Sequence, residues 1–151
     1  MNYYVLSIGN MKKFHENEIV KNYQKRLKNK LFIKEYVSNY PSGDVKKKDE
    51  SKKLLSMVPL KSKIILLDQK GENYSSEELA NILSKWRNEG FNKVSFIIGG
   101  ADGVTEEVFN NTDKIISFGR MTWPHIMARL MLIEQIYRSE TIEIGHPYHR
   151  N

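Results

Sequence analysis

Five short runs punctuate the chain: "YYVLSIG" (residues 3–9), "LFIKEYV" (31–37), "KIILLD" (63–68), "KVSFIIGG" (93–100) and "KIISF" (114–118). In most of them apolar residues stand side by side. A strand with one wet face alternates apolar and polar residues, whereas adjacent apolar neighbours need cover on both faces. Stretches with helical spacing lie between the runs. Residues 16–28 put Ile19, Val20, Tyr23 and Leu27 on one side of a helix and lysines on the other. "NYPSGDVKKKDE" reads as a turn followed by a basic run. Residues 51–57 then form a helix with Leu54, Leu55 and Met57 inward, ended by Pro59. "QKGENY" reads as a turn. "SSEELANILSKW" opens with Ser75 and Glu78 at capping-box spacing and carries the stripe Leu79, Ile82, Leu83 and Trp86, with Gly90 as its stop. A short helix is expected after Gly103. A long one covers residues 124–140, with Pro124 in its first turn. The order β-α-β-α-β-α-β-α-β-α predicts an α/β fold: a mostly parallel sheet with helices on both faces. No linker or internal repeat divides the chain, so residues 1–151 are expected to form one domain.

Charge narrows the partners. Residues 11–63 hold fifteen Lys or Arg against six Asp or Glu, a net +9, while the remainder is net −3. Such asymmetry fits a surface that faces a polyanion, and it fits a solvated lysine face equally well. There is no cysteine, which excludes a disulfide scaffold and a thiolate nucleophile. The start "MNYYVLSIGN" has no basic stretch followed by a long apolar run, and no run approaches the roughly 18 apolar residues of a membrane span. A soluble cytoplasmic protein is the expectation.

Ligands of parallel sheets bind at the carboxyl ends of the strands. Three loops fall there: "LLDQKG", "IIGGADG" and "SFGRMTWPH". "GGADG" permits close backbone approach or simply a tight turn. It is neither the dinucleotide fingerprint nor a phosphate loop. In "GRMTWPH", Arg120 can hold an anion, while Met121 and Trp123 either wall an apolar pocket or pack into the core. His125 and Arg129, four apart, share a helical face. The terminal "GHPYHRN" gathers His146, Tyr148, His149 and Arg150, groups able to move protons or grip an anion. Metal binding has little support, because His146 and His149 lack an evident third ligand and no H-E-x-x-H occurs.

Taken together, "IIGGADG", "SFGRMTWPH" with the following "AR" and "IEQIYR", and the terminal "HPYHR" resemble the ribosomal RNA large-subunit pseudouridine N3-methyltransferases. That family belongs to the knotted SPOUT class. The resemblance implies a C-terminal trefoil knot, a homodimer and S-adenosyl-L-methionine as methyl donor. The implied substrate is a pseudouridine of 23S ribosomal RNA within assembled ribosomes; neither DNA nor a membrane is an expected partner. Carried over by position, Leu67, Gly100, Gly119, Arg120, Met121, Thr122, Trp123 and Pro124 are cofactor-binding. Tyr148 and His149, followed by Arg150, match the family's ending, which lies close to the partner's cofactor pocket.

Methyl transfer to N3 requires loss of a weakly acidic imide proton. A histidine, with an ordinary pKa near 6.5, suits that task, and His149 is the first choice as base. Arg129 or Arg150 is expected to stabilise the developing anion or hold an RNA phosphate. Tyr148 is expected to position the base or stack on it.

Overall fold

The computed structural model describes residues 1–150. Its elements follow the expected alternation: β1 (Asn2–Ile8), α1 (Glu16–Arg26), β2 (Leu31–Tyr36), α2 (Asp44–Ser56), β3 (Lys63–Asn73), α3 (Ser76–Asn88), β4 (Lys93–Ile98), α4 (Glu106–Asn110), β5 (Lys114–Ser117) and α5 (His125–Glu143). The strands lie in the order β2-β1-β4-β3-β5, and every pair is parallel. All five therefore end on the same edge of the sheet.

Adjacent apolar residues in the central strands feed opposite faces, as the two-residue period of a strand requires. Val5, Ile65 and Phe96 join one core, with Val20 of α1, Leu83 of α3 and Ile133 of α5. Their neighbours Leu6, Leu66 and Ile97 join the other, with Leu54 of α2 and Val108 of α4. Ser75 caps α3 in a full capping box: its side chain accepts from the Glu78 main chain, and Glu78 reaches back to the Ser75 N–H.

Two elements run well beyond the sequence pattern, and α5 also continues three residues past its expected end at 140. α2 begins at Asp44, not residue 51, and takes in the basic run. Its inward positions include Glu50 and Ser51 beside Leu54, so its buried side carries too little apolar character to show a helical stripe. β3 continues through Asn73, where a turn was expected. Its register slips, so that Leu67 and Glu72 both stand opposite Ile116 and the residues between them bulge outward. Gly71 allows this crossing. A Cβ there would lie 2.5 Å from the Ile116 carbonyl carbon, closer than any side chain tolerates. The bulge carries residues 68–70 out over the carboxyl edge of the sheet.

Candidate functional site

The three loops expected at the carboxyl edge enclose one cleft of about 780 Å³. Leu67, Gly100, Gly119, Met121, Thr122, Trp123 and Pro124 all line it, while Arg120 is exposed beside it and is not part of the lining. The β3 bulge adds Asp68, Gln69 and Lys70. Gln69 Nε2 donates to Thr122 Oγ1 at 2.9 Å, which ties the first loop to the third. Trp123 Nε1 donates to the Phe118 carbonyl at 3.2 Å, which fixes the indole against its own loop. His125 also lines the cleft; desolvation of its ring, then the charge of Arg129 one turn on, lowers its pKa. The walls are mostly apolar side chains and main chain. A cleft of this size and lining suits an extended organic ligand oriented by a few polar groups.

Arg129 does not reach this lining. Its side chain is 1% exposed. Nη1 donates to Glu35 Oε2 at 2.9 Å, and Nη2 donates to the Ile8 carbonyl at 3.1 Å. Glu35 Oε2 also accepts from the Met11 N–H at 2.6 Å. Arg129 thus pins the first half of α5 to the ends of β1 and β2, behind the cleft. One turn further along α5 than the exposed His125, the long side chain lies deeper and finds its partners at the ends of β1 and β2.

Tyr148 and His149 form a separate cluster on α1, α3 and α5. Tyr148 Oη donates to Glu134 Oε1 at 2.9 Å and lies 3.2 Å from Tyr23 Oη. Its ring meets that of Tyr137 edge-on at 4.8 Å. The guanidinium groups of Arg138 and Arg26 stand 4.8 and 5.2 Å from its centre. Burial first, then the contacts with Tyr23 and Glu134, raises the Tyr148 pKa, so the phenol stays protonated. His149 Nε2 lies 2.7 Å from Glu77 Oε1, and Nδ1 lies 3.2 Å from an Arg138 nitrogen. A guanidinium only donates, so Nδ1 accepts from Arg138 and Nε2 carries the proton given to Glu77. Glu77 is pulled down to about 2, first by its own main-chain N–H, then by the His149 ring and the Ser75 hydroxyl.

Among the described residues, none of the tail's partners lines its own chain's cleft. Glu134 and Tyr23 instead border a second concavity of about 670 Å³, which shares residues 117–119 with the cleft. Sequence reasoning missed Glu77, Glu134 and Arg138. The one available signal was the four-residue spacing of Glu134 and Arg138, which here form an ion pair at 2.6 Å.

Fold and cleft together define a parallel α/β protein with an open cleft, sized for an extended organic ligand, where the ends of β3, β4 and β5 meet. The same fold occurs in a probable methylase family protein from Haemophilus influenzae Rd KW20, with TM-score 0.57 and 10% identity over 99% of this chain and 71% of that one. A family model described as "Predicted SPOUT methyltransferase" matches residues 1–149. The chain belongs to the SPOUT methyltransferase family, whose α/β fold carries a C-terminal trefoil knot. It is similar to the "Ribosomal RNA large subunit methyltransferase H" of Paramagnetospirillum magneticum, 39% identical over 97% of both chains. The protein of that name from Rhodospirillum centenum is 38% identical over 99% of both. That from Sphingopyxis alaskensis is 54% identical over 59% of this chain and 63% of its own. The cofactor of this methyltransferase is S-adenosylmethionine. The cleft fits it: the volume is adequate, the walls are apolar, and the "GGADG" main chain lies open to a ligand.

Proposed function

We propose that the protein transfers a methyl group from S-adenosylmethionine to N3 of a pseudouridine in 23S ribosomal RNA of assembled ribosomes. The observation that carries this reading is the convergence of the resemblance's positions. Leu67, Gly100, Gly119 and residues 121–124 come from three loops and meet in one cleft. The relatives named for large-subunit ribosomal RNA support the substrate.

When bound, S-adenosylmethionine supplies a methyl group on a positively charged sulfur. The chain's own residues must orient the donor, hold the base and remove its imide proton. Leu67, Met121 and Trp123 flank the donor, and the loops around Gly100 and Gly119 present main-chain groups. His149 takes the proton from N3, with Tyr148 positioning the base. As docked, the His149 Nδ1 lone pair is occupied by Arg138, so proton uptake requires that contact to open. Arg129 acts by holding α5, and Arg120, exposed at the rim, meets RNA or the donor's carboxylate.

The active form is a homodimer in the cytoplasm, each chain contributing residues 1–151 as one domain, and DNA is not a substrate. The separation of tail and cleft within one chain supports a site completed by the second copy. The concavity that adjoins Tyr23 and Glu134 offers that copy an open surface beside the cleft. The exposed lysines of α2, with the rest of the basic segment 11–63, grip the RNA backbone.

The test is methylation of ribosomes from a strain lacking the gene, with the modified nucleotide mapped. A methyl on N3 of a pseudouridine in the large-subunit RNA is expected. Methylation of another base would overturn the substrate, and absence of transfer would overturn the activity.

A further inference from the structure

α2 is the most lysine-rich element of the chain, yet it turns two polar side chains fully inward. Glu50 and Ser51 are 1% and 2% exposed. Both are directed at the loop between β4 and α4, which forms the floor of the cleft. Ser51 Oγ accepts from the Thr105 N–H at 3.0 Å, at the far end of that loop. Glu50 lies under its near end. A Cβ built on Gly100 would stand 3.1 Å from the Glu50 carboxyl carbon and 3.2 Å from Oε1, and would overlap Oε2. Oε2 is buried with no hydrogen-bond partner among the described residues. A buried carboxyl without a partner costs stability.

We propose that Glu50 is a positioning residue for the methyl donor, setting through Gly100 the height of the loop on which the donor rests. The inference rests on the donor reading of the cleft. Gly100 is the only residue type that lets the main chain settle on this carboxyl, and Glu50 fills the volume beneath it. Ser51 anchors the other end, so two consecutive residues of α2 hold both ends of the loop at fixed height. The charged groups facing Glu50 are Lys46 and Asp49 on its own helix and Asp102 on the loop. Burial raises the Glu50 pKa, and Asp102 and Asp49 raise it further against the opposing effect of Lys46. Raising the pH therefore places a charge in a closed site, which displaces the loop and weakens donor binding.

The experiment measures S-adenosylmethionine Kd by calorimetry, with donor KM, kcat and Tm in parallel, for wild type, Glu50→Gln, Glu50→Ala, Gly100→Ala and the double variant Gly100→Ala with Glu50→Ala. Glu50→Ala is expected to raise the donor Kd about tenfold, the scale of one lost buried contact, with the loss in KM rather than kcat. Glu50→Gln restores the shape, recovers most of the affinity and abolishes the pH dependence of donor binding. Gly100→Ala loses affinity, and adding Glu50→Ala returns part of it. Unchanged Kd in Glu50→Ala, or a double variant no better than Gly100→Ala, overturns the role of Glu50. Wild-type protein that does not bind the donor overturns the cleft reading itself, a result distinguishable from either.

Discussion

The cleft and the tail cluster are built in opposite ways. The cleft consists of loop main chain, glycines and apolar side chains, many of them exposed; Met121 is 73% exposed and Trp123 39%. Its polar ties, such as Gln69 to Thr122, join one wall to another. The tail cluster consists of titratable side chains that satisfy one another: Tyr148 with Glu134 and Tyr23, His149 with Glu77 and Arg138. One region is shaped to receive something and holds few charged groups. The other holds titratable groups and is closed on itself. A methyl-transfer centre needs both properties, and a single chain keeps them apart.

The largest expected effect separates the two regions outright. His149→Ala is expected to lower methyl transfer by about 10²–10⁴, the usual range for a lost general base, with donor Kd unchanged. Retained activity would remove His149 from the chemistry, and a lost Kd would move it into the cofactor's surroundings. Arg129→Ala comes next and belongs to neither region. Removing a buried cation from Glu35 and the Ile8 carbonyl is expected to cost about 2–3 kcal/mol in denaturant unfolding. If stability is intact and activity alone collapses, Arg129 has a direct part in the reaction. Trp123→Ala removes a cleft wall and is expected to weaken donor binding about tenfold while sparing kcat, the mirror image of His149→Ala.

The smallest effect probes the tail's docking. Glu77 sits at about 2 in the folded chain, below its ordinary 4.5. A lowered carboxyl contributes stability above its ordinary pKa and loses it as the pH falls toward the folded value. Between pH 5 and 2 the wild-type Tm should therefore fall more steeply than that of Glu77→Gln. Parallel curves would show that the Glu77–His149 contact adds nothing to the docked tail.

The sheet was legible because adjacent apolar pairs such as Leu66 and Leu67, or Phe96 and Ile97, leave no solvent face. The cleft was legible for a related reason: a parallel sheet sends its loops to one edge, so three loop sequences had to converge. The start of α2 was hidden because its buried side carries Glu50 and Ser51, which a hydrophobic pattern does not register. The extension of β3 was hidden because its bulge depends on Gly71 meeting the Ile116 main chain, a contact set by tertiary packing. The partners of the tail lie far away in sequence; Glu77 is 72 residues from His149. No local pattern joins them. The knot was legible only through the resemblance, since apolar periodicity carries no information on threading.

The claim that cleft and tail form one centre across two copies is tested most directly by mixing two crippled variants. Ala128→Phe fills the cleft and His149→Ala removes the tail base, each first shown to be folded and inactive alone. In an equal mixture half the dimers are mixed, and each of those holds one site with both parts intact, so methyl transfer should return to about one quarter of wild type. Activity no higher than that of either parent would contradict a shared centre and return the tail to its own chain's cleft.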